Sequence, residues 1–135
     1  MSDADIKQKL RNHDVLPTAQ RLEIARVLLR QPQHLSVDQI IAVLRANGSS
    51  ISKATVYNSL NLFSKKGLIK EINVDAGRKF YDSTTRPHHH FYHVETGALT
   101  DIPPEEVKIL EIPTLPAGTE QEGVEVVVRV RDKRV

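Results

Sequence analysis

The sequence predicts an α+β chain: three amphipathic helical stretches lie between Leu10 and Lys66, two short strands close around a turn before Asp82, and a β-branched run follows at Val124 to Val130. The first helix starts near Pro17, whose fixed φ suits a first turn, and repeats Leu22, Ala25, Leu28 and Leu29 until Gln31-Pro32-Gln33 stops it. Ser36 is a good N-cap for the second, in which Val37, Ile40, Ile41 and Leu44 form one stripe before Asn47-Gly48 ends it. Ser52 caps the third. There Val56, Ser59, Leu60 and Phe63 share one face, and Tyr57, Asn58, Asn61 and Lys65 share the other. Leu68 to Val74 and Lys79 to Asp82 read as strands around Asp75-Ala76-Gly77-Arg78, whose residues suit a hairpin.

With 135 residues the chain holds one domain or two small ones, and its 39% hydrophobic and 27% charged content is that of a folded protein. No cysteine is present, so disulfides, thiolate zinc sites, iron–sulfur clusters and a cysteine nucleophile are excluded together. Any metal must be held by nitrogen and oxygen. Met1 to Leu10 lacks the apolar run of a signal peptide and no segment reaches the length of a membrane span, which predicts a cytoplasmic protein with no membrane partner. Charge is uneven along the chain. Residues 1–83 carry 13 Lys and Arg against 8 Asp and Glu, whereas residues 84–135 carry 6 against 9. A basic half joined to an acidic half suggests nucleic-acid contact by the first and another task for the second.

The outward face of the third helix combines donors, acceptors and a cation with one aromatic ring. Those groups suit a helix lying in a DNA major groove. A hairpin tipped with Arg78 and Lys79 suits phosphate, where base-independent affinity arises. Helices followed by such a hairpin make a winged helix-turn-helix over residues 1–83, leaving residues 84–135 as a second domain.

In the second domain, His88, His89 and His90 stand together with His93 close by. On a strand, alternation puts His88 with His90 on one face and His89 with His93 on the other. Asp82 precedes the run at the end of the wing. Asp101 follows the Thr96-Gly97 turn on a neighbouring strand, Ala98 to Ile102, so two carboxylates can converge on the histidine pair. Imidazoles with carboxylates suit borderline divalent ions of the first row. A small metal-dependent hydrolase could use the same cluster to activate water, but no general base or pocket-forming segment accompanies it, and the wing would have no task.

Four motifs in register, Pro17-Thr18-Ala19-Gln20-Arg21, Gln33-His34-Leu35-Ser36-Val37-Asp38, Ala54-Thr55-Val56-Tyr57-Asn58-Ser59-Leu60 and His88-His89-His90, resemble the ferric uptake regulator (Fur) family of bacterial metalloregulators. The resemblance covers about residues 10–102. It implies a homodimeric, metal-dependent repressor on double-stranded DNA, with a winged-helix domain and a small α/β dimerisation domain. It further implies DNA contacts at Thr18, Arg21, Ser52, Lys53, Thr55, Tyr57 and Asn58, besides the wing residues Arg78 and Lys79. The operator is expected to be palindromic. The resemblance adds His34 to Asp82, His88, His90 and Asp101 in one site at the hinge, for iron(II) or manganese(II), with zinc(II) also accommodated.

Three departures from the family pattern are expected to matter. The paired Cys-x-x-Cys of the structural zinc site is absent, with Val94-Glu95-Thr96 standing where its first cysteines would be. Pro103 to Gly123 is too proline-rich and brief for a long helix. No histidine follows His93, so His89 and His93 either meet a haem iron, as in the haem-responsive Irr type, or stand exposed. Asp82 and Asp101, both aspartates, resemble the ligands of the peroxide-sensing PerR type, in which iron-catalysed oxidation of histidine ligands would release the hinge. An iron- or haem-responsive regulator is the alternative. Residues 89–135 are expected to form the dimer interface, with Val124, Val126, Val128 and Val130 covering one sheet face.

Overall fold

The computed structural model describes residues 1–75 and 77–134. Ala76 of the expected hairpin turn and Val135 of the expected interface lie outside them. The chain divides into two units, Met1–Thr85 and Arg86–Val135, a boundary two residues beyond the one expected.

The first unit opens with a helix that the sequence reading did not single out, α1 (Asp3–Asn12). Ser2 caps it in a full capping box: the Ser2 hydroxyl accepts from the Asp5 amide at 3.2 Å, and Asp5 accepts from the Ser2 amide at 3.1 Å. Ile6 and Leu10, one turn apart, are fully buried. Helix α2 (Ala19–Leu29) has Thr18 as N-cap, and its Arg26 grips Asp3 with two hydrogen bonds of 2.8 and 2.7 Å. A short strand, β1 (His34–Ser36), comes next and was also not foreseen, since three residues are too few to show alternation. Helices α3 (Val37–Ala46) and α4 (Lys53–Lys65) start at Ser36 and Ser52 as expected. Their apolar faces, with those of α1 and α2, form one core that includes Leu22, Leu28, Ile40, Leu44, Leu60 and Phe63.

Strands β2 (Lys70–Asp75) and β3 (Arg78–Asp82) form the hairpin, and β1 adds to its far side to give the order β1-β3-β2. The register places His34 opposite Asp82 and Ile72 opposite Phe80. Gln33 and Ser83 lock that end of the sheet reciprocally. The Ser83 amide donates to the Gln33 carbonyl and the Gln33 amide to the Ser83 hydroxyl, both at 3.0 Å.

The second unit is a three-stranded sheet, β4 (His89–His93), β5 (Leu99–Ile102) and β6 (Val127–Val130), in the order β5-β4-β6. Gly97 makes the β4–β5 turn at φ +74, a conformation that disfavours a side chain, and its amide donates to the His93 carbonyl at 2.8 Å. Antiparallel β5 returns the chain to the end where β4 begins, and β6 runs parallel to β4 on its other edge, so the chain must pass from one edge of the sheet to the other between β5 and β6. Residues 103–126 make that crossover with a single 3-10 turn, Pro104–Glu106, and no α-helix among the described residues. β6 begins three residues later than expected. Val126 precedes it and bonds to β4 by its backbone: its carbonyl accepts from the His90 amide at 3.1 Å.

Candidate metal centre and nucleic-acid interface

In the second unit the alternation of β4 sorts the histidines. His90 lies opposite Asp101 of β5, and His88, just before the strand, stacks toward His90 with ring centroids 4.5 Å apart. The Nε2 atoms of His88 and His90 lie 3.6 and 3.2 Å from one Asp101 carboxylate oxygen. Burial separates the three groups. The His88 and His90 side chains are 8% and 1% exposed, whereas that of Asp101 is 58% exposed. Two sheltered imidazoles therefore face one carboxylate that reaches solvent. The His88 Nδ1 lies 2.7 Å from the Arg86 carbonyl; if it donates there, Nε2 is left unprotonated toward Asp101 as a ligand lone pair.

The first unit presents a second pair of ligand types. His34 and Asp82 are direct cross-strand neighbours at the end of the β1–β3 ladder, so their side chains rise from the same face. Asp82 is buried, and one of its oxygens accepts from the Thr84 amide at 2.8 Å. His34 meets the Phe80 ring edge-on at 6.3 Å. Each unit thus assembles part of the expected ligand set, and five residues of chain lie between Asp82 and His88.

The other two histidines differ from the expectation that they stand exposed. His89 is 6% exposed, and its Nδ1 accepts from the Val126 amide at 2.9 Å. The His93 Nδ1 accepts from the Thr96 amide at 3.2 Å, which leaves Nε2 as the protonated nitrogen, 2.8 Å from Asp132. Both rings tie β4 to the chain on either side of β6. A haem iron would have to break one of these bonds to bind either ring. Sequence spacing could not reveal them, because the partners are 37 and 39 residues away.

The expected nucleic-acid residues all lie in the first unit. Thr18, Arg21, Thr55 and Asn58 line one open cleft between the start of α2 and the outer face of α4. Thr18 and Ser52 also serve as caps, Thr18 accepting from the Arg21 amide at 3.3 Å and Ser52 from the Thr55 amide at 3.1 Å. Tyr57 and Asn58 are exposed on α4, and Lys53 lies at its first turn, 4.0 Å from Asp38. Arg78 is exposed at the start of β3. Lys79 differs from a simple phosphate contact: its ammonium is held by Glu71 of β2 at 2.9 Å, a residue that the sequence reading passed over. Hydrogen bonding to Glu71 raises the pKa of Lys79. Tyr81, beside the pair, has its pKa raised by burial first and by the Glu71 charge second.

The ferric uptake regulator family model matches residues 12–127. The peroxide-responsive repressors PerR of Staphylococcus saprophyticus and Staphylococcus aureus are each 33% identical over 92 residues, covering 68% of this chain and 62% of the relative. The chain is therefore matched to less than two thirds of their length. Among solved structures, the ferric uptake regulator from Pseudomonas aeruginosa with manganese is 26% identical, with a TM-score of 0.71 over 95% of this chain and 98% of that one. The Vibrio cholerae ferric uptake regulator shares the fold at 21% identity, with a TM-score of 0.72 over 93% and 98%. These relatives are regulators and repressors, not enzymes, and they lend nothing to the hydrolase alternative. A capped helix α4 followed by the β2–β3 hairpin, a histidine–aspartate cluster and a matched span of this extent lead to one conclusion: the chain belongs to the ferric uptake regulator family.

Proposed function

We propose that the chain is a metal-dependent DNA-binding repressor that works as a homodimer on a palindromic operator. The observation that carries this reading is the pair of buried imidazoles, His88 and His90, closed on one side by Asp101. Two imidazole nitrogens and a carboxylate oxygen within 4.8 Å of one another fit a first-row divalent ion, and suit iron(II), manganese(II) or zinc(II) better than calcium. In this reading His34 and Asp82 of the first unit complete the set. Binding that draws ligands from both units favours one arrangement of the winged helices over others. The ion then acts by population shift, through its tighter hold on the DNA-competent state.

Manganese should raise affinity for a site selected from a random duplex pool, and a chelator should reverse the effect. His90→Ala should weaken manganese binding more than tenfold and remove the metal-dependent gain, while leaving the metal-free affinity unchanged. Fluorescence anisotropy with manganese titration reads both. Equal DNA binding by the wild type with and without metal would overturn the reading.

The signal we favour is peroxide. Asp101 is short and 58% exposed, so the buried histidine pair has one side open to a small solute. Iron(II), when bound, supplies the reductant that makes peroxide a strong oxidant beside the ligands. His34 and His90, as rings that would hold the ion, would offer oxidisable carbons, and an oxidised ring would be a poorer donor. Mass spectrometry after peroxide treatment should show one added oxygen on His34 or His90 in the iron-loaded protein and none in the manganese-loaded protein. Unmodified histidines with intact DNA binding would instead favour a sensor of iron availability.

A further inference from the structure

The wing is formally neutral. Between Lys70 and Asp82 its three cations, Lys70, Arg78 and Lys79, are matched by Glu71, Asp75 and Asp82. A hairpin meant only to grip phosphate gains nothing from this balance, because each acid lowers the potential that attracts the backbone. Asp82 is accounted for by the proposed metal set, and Asp75 lies at the hairpin tip. Glu71 has no such role, and its position is specific.

Glu71 lies opposite Tyr81 in the β2–β3 ladder, and Asn73 lies opposite Lys79, so Glu71 and Lys79 are diagonal neighbours on one sheet face. Tyr81 of that face is buried in the helical core, which turns the face toward the helices. The Glu71–Lys79 pair therefore lies on the helix-facing side of the wing. Glu71 is 28% exposed and Lys79 50%, so the pair is within reach of a phosphate backbone laid against that side.

We propose that Glu71 is a discrimination residue, which holds the Lys79 ammonium and so withholds one cation from the phosphates of every duplex. This inference rests on the DNA-binding reading and adds its specificity. An ammonium shared with a carboxylate at 2.9 Å releases no counterion when DNA arrives. Sequence-independent affinity is lowered for all sites alike. A sequence that satisfies Tyr57 and its neighbours on α4 still binds, while one that offers phosphate alone binds less. Selectivity here comes from a repulsive element as much as from attractive ones.

The test uses the full-length, manganese-loaded protein, with a random-sequence duplex and a site selected by the wild type from a random pool. Glu71→Gln keeps the shape and an acceptor but removes the charge, which frees Lys79 for phosphate. The slope of log affinity against log salt on the random duplex should steepen by about 0.9, which is roughly eightfold tighter binding at 0.1 M salt, fading toward 1 M. Adding Lys79→Ala to Glu71→Gln should return the slope to the wild-type value. Glu95→Gln, an equal change of charge on an exposed turn of the other unit, sets the background. The ratio of selected-site to random-duplex affinity should fall in Glu71→Gln. An unchanged slope in a Glu71→Gln protein with a wild-type melting curve would overturn the inference alone. Wild-type protein that binds neither duplex would overturn the DNA-binding reading and the inference with it.

Discussion

At the scale of single residues, four neighbouring histidines have received different tasks from strand alternation and from what lies beside each ring. His88 and His90 are directed at Asp101, whereas His89 and His93 bond to Val126 and Asp132. His93→Ala should therefore lower the melting temperature slightly, since it removes two exposed hydrogen bonds, to the Thr96 amide and Asp132, at a cost of about 0.5–1.5 kcal/mol because water takes the place of the ring. It should leave manganese affinity unchanged. A calorimetric titration beside a thermal melt checks both halves, and metal affinity lost on His93→Ala would place this ring in the metal set. Sequence alternation was enough to separate the two pairs. His34 was visible as a candidate only through family resemblance, because a residue some fifty positions upstream needs a strand pairing to bring it level with Asp82. Glu71 was not visible at all: its partner is fixed by a diagonal in the hairpin register, and the exposed turn between them hides that register.

At the scale of elements, the cap signals were the most legible. Ser36 and Ser52 start their helices where the sequence put them, because a serine hydroxyl satisfies an orphan amide wherever an apolar stripe follows. The first helix escaped the same reading. It buries only Ile6 and Leu10, and its charged residues leave no stripe to recognise; its stability depends on docking instead. The Asp3 grip on Arg26 supplies that docking at its start, while the Ser2 cap closes its first turn. Ser2→Ala should cost about 1 kcal/mol. The Asp3 carboxyl sits below its ordinary value of 3.8, chiefly because it accepts from the Arg26 guanidinium, with burial opposing and the charges of Arg26, Arg30 and Lys7 adding to the lowering. A carboxylate with a depressed pKa stabilises the fold at neutral pH, and this contribution fades as pH falls below 3.8 toward its folded value. Denaturation curves of wild type and Asp3→Asn should therefore differ at pH 7 and converge under acid. A constant gap across that range would assign the effect of Asp3 to packing.

At the scale of the whole molecule, the second unit leaves apolar surface that a small sheet cannot cover by itself. Phe91, Val124 and Val128 are 41%, 37% and 39% exposed in the single chain. Phe91 and Val128 are register partners on adjacent strands, so they share a sheet face, together with Thr100 of β5. A second copy would cover this face, and two-fold symmetry would then match the protein to a palindrome with half-sites one helical turn apart or a multiple of it. Because Val128 is already partly exposed on an edge strand, Val128→Asp should leave the fold intact while placing a charge against its own symmetry mate. The variant should sediment as a monomer. Its affinity for a random duplex should change little, since the proposed phosphate contacts belong to the first unit, whereas affinity for the selected palindrome should fall by more than tenfold as two linked half-site contacts become independent. If Val128→Asp stays dimeric and holds the palindrome as tightly as the wild type, the β6 face is not the interface, and the apolar segment carrying Ile109, Leu110 and Ile112 becomes the surface to test.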